Sequence, residues 1–174
     1  TPLHLLASAA ARGEACTLVT VLGIAGGAPR RHGSQLVVTE RGEVAGSLSG
    51  GCLDAAVVAE AHVARAEGVS RRIRFGADSP YVDVVLPCGS GLDLQFDGAV
   101  PQATIGAIDA CLKARQPVEL CWRSASLPPE TLIEPPYADR VVVPPRMRLV
   151  VAGASENLRS IALLASIAQI DVVA

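Results

Sequence analysis

Six of the chain's twelve prolines fall between Pro128 and Pro145, and that cluster divides everything else. Proline fixes φ and has no N–H to give to a helix or a sheet ladder. The stretch therefore cannot hold a long helix or a central strand. It reads as edge structure followed by a linker. The division predicts a domain over residues 1–127, a proline-rich connector over 128–146 and a separate segment over 147–174. A chain of 174 residues suits one domain of ordinary size, or one and a half.

Upstream of the cluster, the apolar pattern alternates between helical and extended periods. Residues 3–16 read as a short helix, and 17–24 (TLVTVLGI), rich in β-branched side chains, as a buried strand. Gly26, Gly27 and Pro29 break the chain. Residues 34–39 give a second strand, and Arg41-Gly42 a hairpin turn. From Cys52 to Glu67 the density of alanine predicts a helix, with Ser49 as its N-cap and Gly68 as its stop. Residues 71–75, 82–86, 92–96 and 117–122 read as strands, and 103–115 as a helix. Downstream, a strand runs from Arg148 into Gly153. A helix over 156–168 and a strand over 170–173 follow. The predicted class is α/β: an N-terminal mixed α+β domain, the connector, and a truncated Rossmann-like βαβ unit. One strand–helix–strand buries too little surface to stand alone, so this unit is expected to be truncated or completed by another chain. The first residue is Thr1 rather than Met, so a few leading residues are expected to be missing.

Half the residues are apolar but only 3% are aromatic, so the core must be built from Val, Leu, Ile and Ala. A net charge of −2 weighs against nucleic acid as a main partner, because phosphate backbones need a positive face. Fourteen of the fifteen basic residues are Arg, with Lys113 the exception. No apolar run reaches the roughly 18 residues of a membrane span, and no signal peptide is visible. The five cysteines, Cys16, Cys52, Cys88, Cys111 and Cys121, include no C-x-x-C pair, so neither zinc nor a disulfide framework is expected. Free thiols fit a reducing cytoplasm.

The richest segment is 26–54, GGAPRRHGSQLVVTERGEVAGSLSGGCLD. Arg30 and Arg31 follow a Gly-Pro turn and could clamp an oxyanion. Gly46, Ser47, Ser49, Gly50 and Gly51 form a loop that delivers Cys52 to a helix start. Glycines let backbone N–H groups converge on one anion, and the helix N-terminus adds positive potential. The same potential would raise the thiolate fraction of Cys52. The plain alternative is a glycine-rich turn, a capped helix and a small buried cysteine. A second turn, Pro87-Cys88-Gly89-Ser90-Gly91, sets another sulfur beside free amides. Its alternative is a hairpin whose cysteine merely packs. Two such turns in one domain favour a shared site, and soft thiolates suit molybdenum or sulfane sulfur. Cys16, Cys111 and Cys121 read as core residues, and His32 as a loop histidine next to the arginine pair.

In the C-terminal segment the turn reads Gly153-Ala154-Ser155-Glu156-Asn157-Leu158. Only the first glycine of a G-x-G-x-x-G fingerprint is present. Ser155 and Glu156 put a side chain and a negative charge where pyrophosphate must approach. These departures weigh against NAD(P) binding.

Taken together, G-x-A-P-R-R-x-G, G-S-L-S-G-G-C-L-D and the later C-G-S-G resemble the XdhC/CoxI family, accessory factors of xanthine dehydrogenase and related molybdenum hydroxylases. The resemblance covers nearly the whole chain. It implies a cofactor chaperone rather than an enzyme. Such a protein binds molybdenum cofactor (molybdopterin), helps its sulfuration and inserts it into an apo molybdenum hydroxylase, with a cysteine desulfurase as second partner. By position, Cys52 and Cys88 match the family's cysteines and are candidate molybdenum ligands. Arg30, Arg31 and the 46–51 loop match its ligand-binding segments, with Gly89 and Gly91 flanking the second sulfur. Ser90 stands where the family commonly has glycine. Two other readings stay open: an NAD(P)-dependent oxidoreductase working through the C-terminal half, and a non-catalytic module that oligomerises, a homodimer covering its exposed strand edges.

Overall fold

The computed structural model describes residues 1–27, 30–48, 50–79, 86, 88–131, 136–153, 155–168 and 170–173. It divides into two compact units, Thr1–Val143 and Pro144–Ala174. Helices and strands are mixed throughout, so the class is α/β.

The first unit is built on a five-stranded antiparallel sheet. Its strands are β1 (Cys16–Ala25), β2 (Gln35–Thr39), β3 (Val44–Gly46), β4 (Ser70–Gly76) and β5 (Gly91–Asp97), in the order β3-β2-β1-β5-β4. β1 lies at the centre, and its first seven residues are all buried. That explains the unbroken apolar and β-branched run, since both faces must be covered. On one face Val19, Val21, Leu36, Val38, Leu94 and Phe96 pack against α2 (Asp54–Glu67) through Val57, Ala61 and Ala64. On the other face Leu18, Leu22 and Val37 meet Leu3, Leu6 and Ala9 of α1 (Pro2–Ala11) and Ile105 and Ile108 of α3 (Gln102–Ala114). The same cluster takes in Trp122 and Val141 from a hairpin of β6 (Val118–Trp122) and β7 (Asp139–Val143). With few aromatics, both layers are filled by branched aliphatics and alanine, as the composition requires.

Local differences from the sequence reading have local causes. α1 ends at Ala11, because Gly13 takes φ +72° and releases the chain into β1, so Cys16 opens the strand rather than closing the helix. α2 begins at Asp54, two residues later than predicted, with Leu53 in the N-cap position. Ser49, read as that cap, lies outside the described residues. The predicted helix stop is observed: Gly68 adopts the left-handed conformation at φ +66°. The strand read over 82–86 lies outside the described residues except for Leu86, which is buried and belongs to no strand. Within the proline-rich stretch, β7 pairs with β6 in full register from Trp122↔Asp139 to Val118↔Val143.

The second unit contains β8 (Arg148–Val150), α4 (Glu156–Ile167) and β9 (Asp171–Val173), with β8 and β9 parallel. Ile161, Leu163, Leu164 and Ile167 of α4 are exposed. Among the described residues, no helix is long and apolar enough to cross a membrane.

Candidate functional site

The antiparallel register decides which loops meet. Ala25 at the end of β1 faces Gly91 at the start of β5, and Gly91 also faces Gly76 at the end of β4. Thr20 faces Gln35 at the start of β2, and Leu36 faces Gly46 at the end of β3. The 26–34 connection, the 47–53 turn and the 77–90 connection therefore leave the same end of the sheet. They carry Arg30 and Arg31, Ser47 to Cys52, and Cys88 to Ser90. Three segments far apart in sequence are gathered by topology alone.

At this end Arg30, Arg31 and His32 are exposed. Ser47 organises the second turn. Its hydroxyl accepts from the Gly50 N–H at 3.3 Å and lies 3.4 Å from the Asp54 carboxylate. Gly50 and Gly51 are exposed, with φ of +73° and +116°. Cys52 is exposed, just ahead of the α2 N-cap. Gly46 is pressed against β2: a Cβ there would overlap the Gln35 carbonyl oxygen.

Cys88 is also exposed, and its sulfur lies 2.8 Å from the buried Ser90 hydroxyl. Hydrogen bonds from the Ser90 side chain, and then from the Ser90 backbone, hold this thiol below its ordinary range. Gly89 is exposed and left-handed at φ +67°. Gly91 is buried inside β5, where a Cβ would come within 2.9 Å of the Ala77 carbonyl oxygen and of the Arg74 guanidinium. Arg74 bonds both carboxylate oxygens of Asp93 at 3.0 Å and the Ala77 carbonyl at 2.8 Å. Sequence reading passed over this pair. The only signal was an alternating Arg72-Ile73-Arg74-Phe75 pattern that put Arg74 on the polar side of its strand.

The remaining cysteines are core residues. Cys16 and Cys121 are buried and Cys111 is half-buried, and all five thiols are free. Burial pushes Cys16 up to about 11. Among the described residues, no group of three or more His, Cys, Asp or Glu could hold a metal ion. The loop end thus offers two exposed thiols, Cys52 and Cys88, and two exposed guanidinium groups, Arg30 and Arg31.

In the second unit, the Ser155 side chain accepts from the Leu158 N–H at 3.4 Å and caps α4, and Glu156 occupies the first turn. The helix end that a dinucleotide phosphate would use is met by the chain's own oxygen and carboxylate.

The profile of the XdhC and CoxI family matches residues 9–76, which span β1 to β4 and include the arginine pair and Cys52. The molybdenum cofactor insertion chaperone PaoD of Escherichia coli (strain K12) is 40% identical over 120 residues, 69% of this chain. A crystal structure described as a xanthine dehydrogenase from Bacillus halodurans shares the fold, with a TM-score of 0.74 at 17% identity over 97% of this chain. The chain spans 38% of the length of PaoD and 60% of that solved chain. On these likenesses and the motifs they cover, the chain belongs to the XdhC and CoxI family.

Proposed function

We propose that this protein is an accessory factor that binds molybdenum cofactor, helps its sulfuration and inserts it into a xanthine dehydrogenase-type hydroxylase. The observation that carries this reading is the convergence of the 26–34, 47–53 and 77–90 loops at one end of the sheet. The printed function of PaoD, a cofactor insertion chaperone, supports the same assignment.

Arg30, Arg31 and the N–H groups around Gly50 and Gly51 hold the pterin phosphate by charge and convergent donors. Ser47, Gly89 and the strand-end residues Gly46 and Gly91 frame these turns, and Ser49, which lies outside the described residues, belongs to the same motif by sequence. Cys52 or Cys88 faces the molybdenum, or carries sulfur to it. In the second case the thiolate takes the terminal sulfur of a desulfurase persulfide, and the desulfurase keeps a thiol. The partners are then an apo hydroxylase and a cysteine desulfurase in the cytoplasm, with a homodimer covering the exposed α4 face. The protein catalyses no turnover of a metabolite.

The test is retention of molybdopterin on purified protein, read as its fluorescent oxidation product per mole of chain. Wild type should retain it. Cys52→Ala or Cys88→Ala should abolish retention, and Arg30→Ala with Arg31→Ala should reduce it at least tenfold. Equal retention by both cysteine variants would refute the thiol assignment.

A further inference from the structure

At the sheet end opposite the loops, a cleft of about 410 Å³ is bordered by α1, the start of β1, the last turn of α2 and the start of α3. That is the size of a small-molecule site, and such sites pair mostly apolar walls with a few polar groups. The carbon walls here include Ala10, Val100 and Ile105, and the polar side chains are Glu14, Arg65 and Gln102. Glu14 is already committed: its side chain is 3% exposed, and it accepts from Arg12 at 3.1 Å and from the Arg41 N–H at 2.9 Å. Arg65 differs. Its Nη2 meets His62 Nδ1 at 3.3 Å, its Nη1 stands 3.9 Å from the exposed Glu40 carboxylate, and its Nε is buried with no hydrogen-bond partner among the described residues. A buried donor without an acceptor is costly, and its usual explanation is a group that binds there. The start of α3 adds further donors on the same side. Its N-cap is Pro101, no side chain caps it and no acidic residue stands in its first turn, so the exposed Gln102 and Ala103 N–H groups have no helical acceptor.

We propose that this cleft is a second binding site, for a small organic carboxylate whose head lies between the Arg65 guanidinium and the first-turn N–H groups of α3 and whose carbon body lies on Ala10, Val100 and Ile105. The site is separate from the loop end and does not depend on the proposed function. A carboxylate fits because a guanidinium fork takes both of its oxygens, and their remaining lone pairs accept from the free amides. The arginine is held at the cleft by a packed stem and the bond to His62, which leaves the guanidinium able to turn its Nε onto the ligand. A neutral alcohol would leave most of these donors without an acceptor. Inorganic phosphate has no carbon body for the apolar walls, and its second charge is opposed by the Glu14 carboxylate in the same cleft. One negative head on an apolar body is the chemistry that satisfies both walls.

The experiment titrates the isotope-labelled full chain with hexanoate, hexanol and inorganic phosphate, and follows backbone amide shifts by NMR. Hexanoate should move the Ala99, Gln102 and Ala103 amides saturably, with a Kd of about 1 mM or tighter. Hexanol and phosphate should each bind at least about tenfold more weakly. Arg65→Met keeps an apolar stem and removes the fork, and should weaken hexanoate about tenfold. Ala99 is exposed at the rim, so Ala99→Phe fills the cleft without entering the core and should abolish hexanoate binding. Amides away from the cleft should keep their wild-type shifts in that variant, which makes it decisive even where Arg65→Met fails to fold. Equal affinity for hexanoate and hexanol overturns the proposal, as does hexanoate affinity unchanged by Ala99→Phe. So does the lack of any saturable shift at the cleft amides.

Discussion

The two ends of the five-stranded sheet treat the same residue type in opposite ways. At the loop end, Cys52 and Cys88 are exposed, and Cys88 is held below its ordinary range by Ser90. At the other end, Cys16 is buried and pushed up to about 11, and its sulfur donates to the Glu14 carbonyl at 3.7 Å. That end also has a cleft of about 410 Å³, lined by Glu14, Cys16, Arg65 and Gln102 among others. Around Glu14 the charges are matched, whereas Arg65 Nε is buried without a hydrogen-bond partner. Arg12 bonds Glu14 at 3.1 Å and Glu43 at 3.2 Å, and the Arg41 N–H donates to Glu14 at 2.9 Å. The loop end carries two exposed thiols and the exposed Arg30 and Arg31, and solvent exposure of its reactive groups is what separates it from the packed end.

The largest effect expected is in thiol chemistry. On native protein Cys52 and Cys88 should alkylate at least a hundredfold faster than Cys16 and Cys121, which should react only through unfolding. Comparable rates at Cys16 would break the contrast between the ends. Next comes backbone crowding. A Cβ on Gly98 would collide with the Ala64 carbonyl at the packed end, so Gly98→Ala should cost about 3 kcal/mol in urea unfolding. Gly50 has open space around it at the loop end, and only its φ of +73° opposes a side chain. Gly50→Ala should cost about 1 kcal/mol.

Charge burial gives a third, pH-dependent test. Asp97 accepts from Trp122 Nε1 at 3.0 Å and from Gln95 Nε2 at 3.2 Å. Burial nevertheless dominates and raises it from 3.8 to about 6. A raised carboxyl stabilises the fold most below its unfolded value, so stability should fall as pH climbs from about 4 to 6, by up to about 3 kcal/mol. Glu14 runs the other way. Hydrogen bonds, led by that from Thr39, lower it from 4.5 to about 2, so its contribution is present above 4.5 and lost as pH falls toward 2. The fluorescence of Trp122, the chain's single tryptophan, reports both transitions. Asp97→Asn should flatten the slope between pH 4 and 6, and an unchanged slope would mean that Asp97 is not its source. The smallest effect belongs to the second unit, where Ser155→Ala should cost α4 about 1 kcal/mol in local stability, read by hydrogen exchange.

Much of this was legible along the chain because it depends on neighbours in sequence. The β-branched run of β1, the alanine-rich α2, the Gly68 stop and the proline-limited stretch all follow from local periodicity and backbone sterics. The same holds for the motifs themselves: Arg30-Arg31, the glycine loop before Cys52, and Cys88 between glycines were visible as residue types at short spacing. The start of α2 was less legible. Several polar residues upstream of the helix compete for the cap position, and Leu53 takes it without a side-chain hydrogen bond.

Whether the motifs belong together could not be read from spacing. That Cys88 leaves the same sheet end as Arg30 follows from β5 pairing antiparallel to β1, a contact between residues some seventy positions apart. The roles of Ser90 and Arg74 are likewise set by strands that meet only in the folded sheet, as is the burial that separates Cys16 from Cys88. Local sequence fixes which elements form and which chemical groups they carry. Long-range pairing fixes exposure and proximity, and reactivity depends on both.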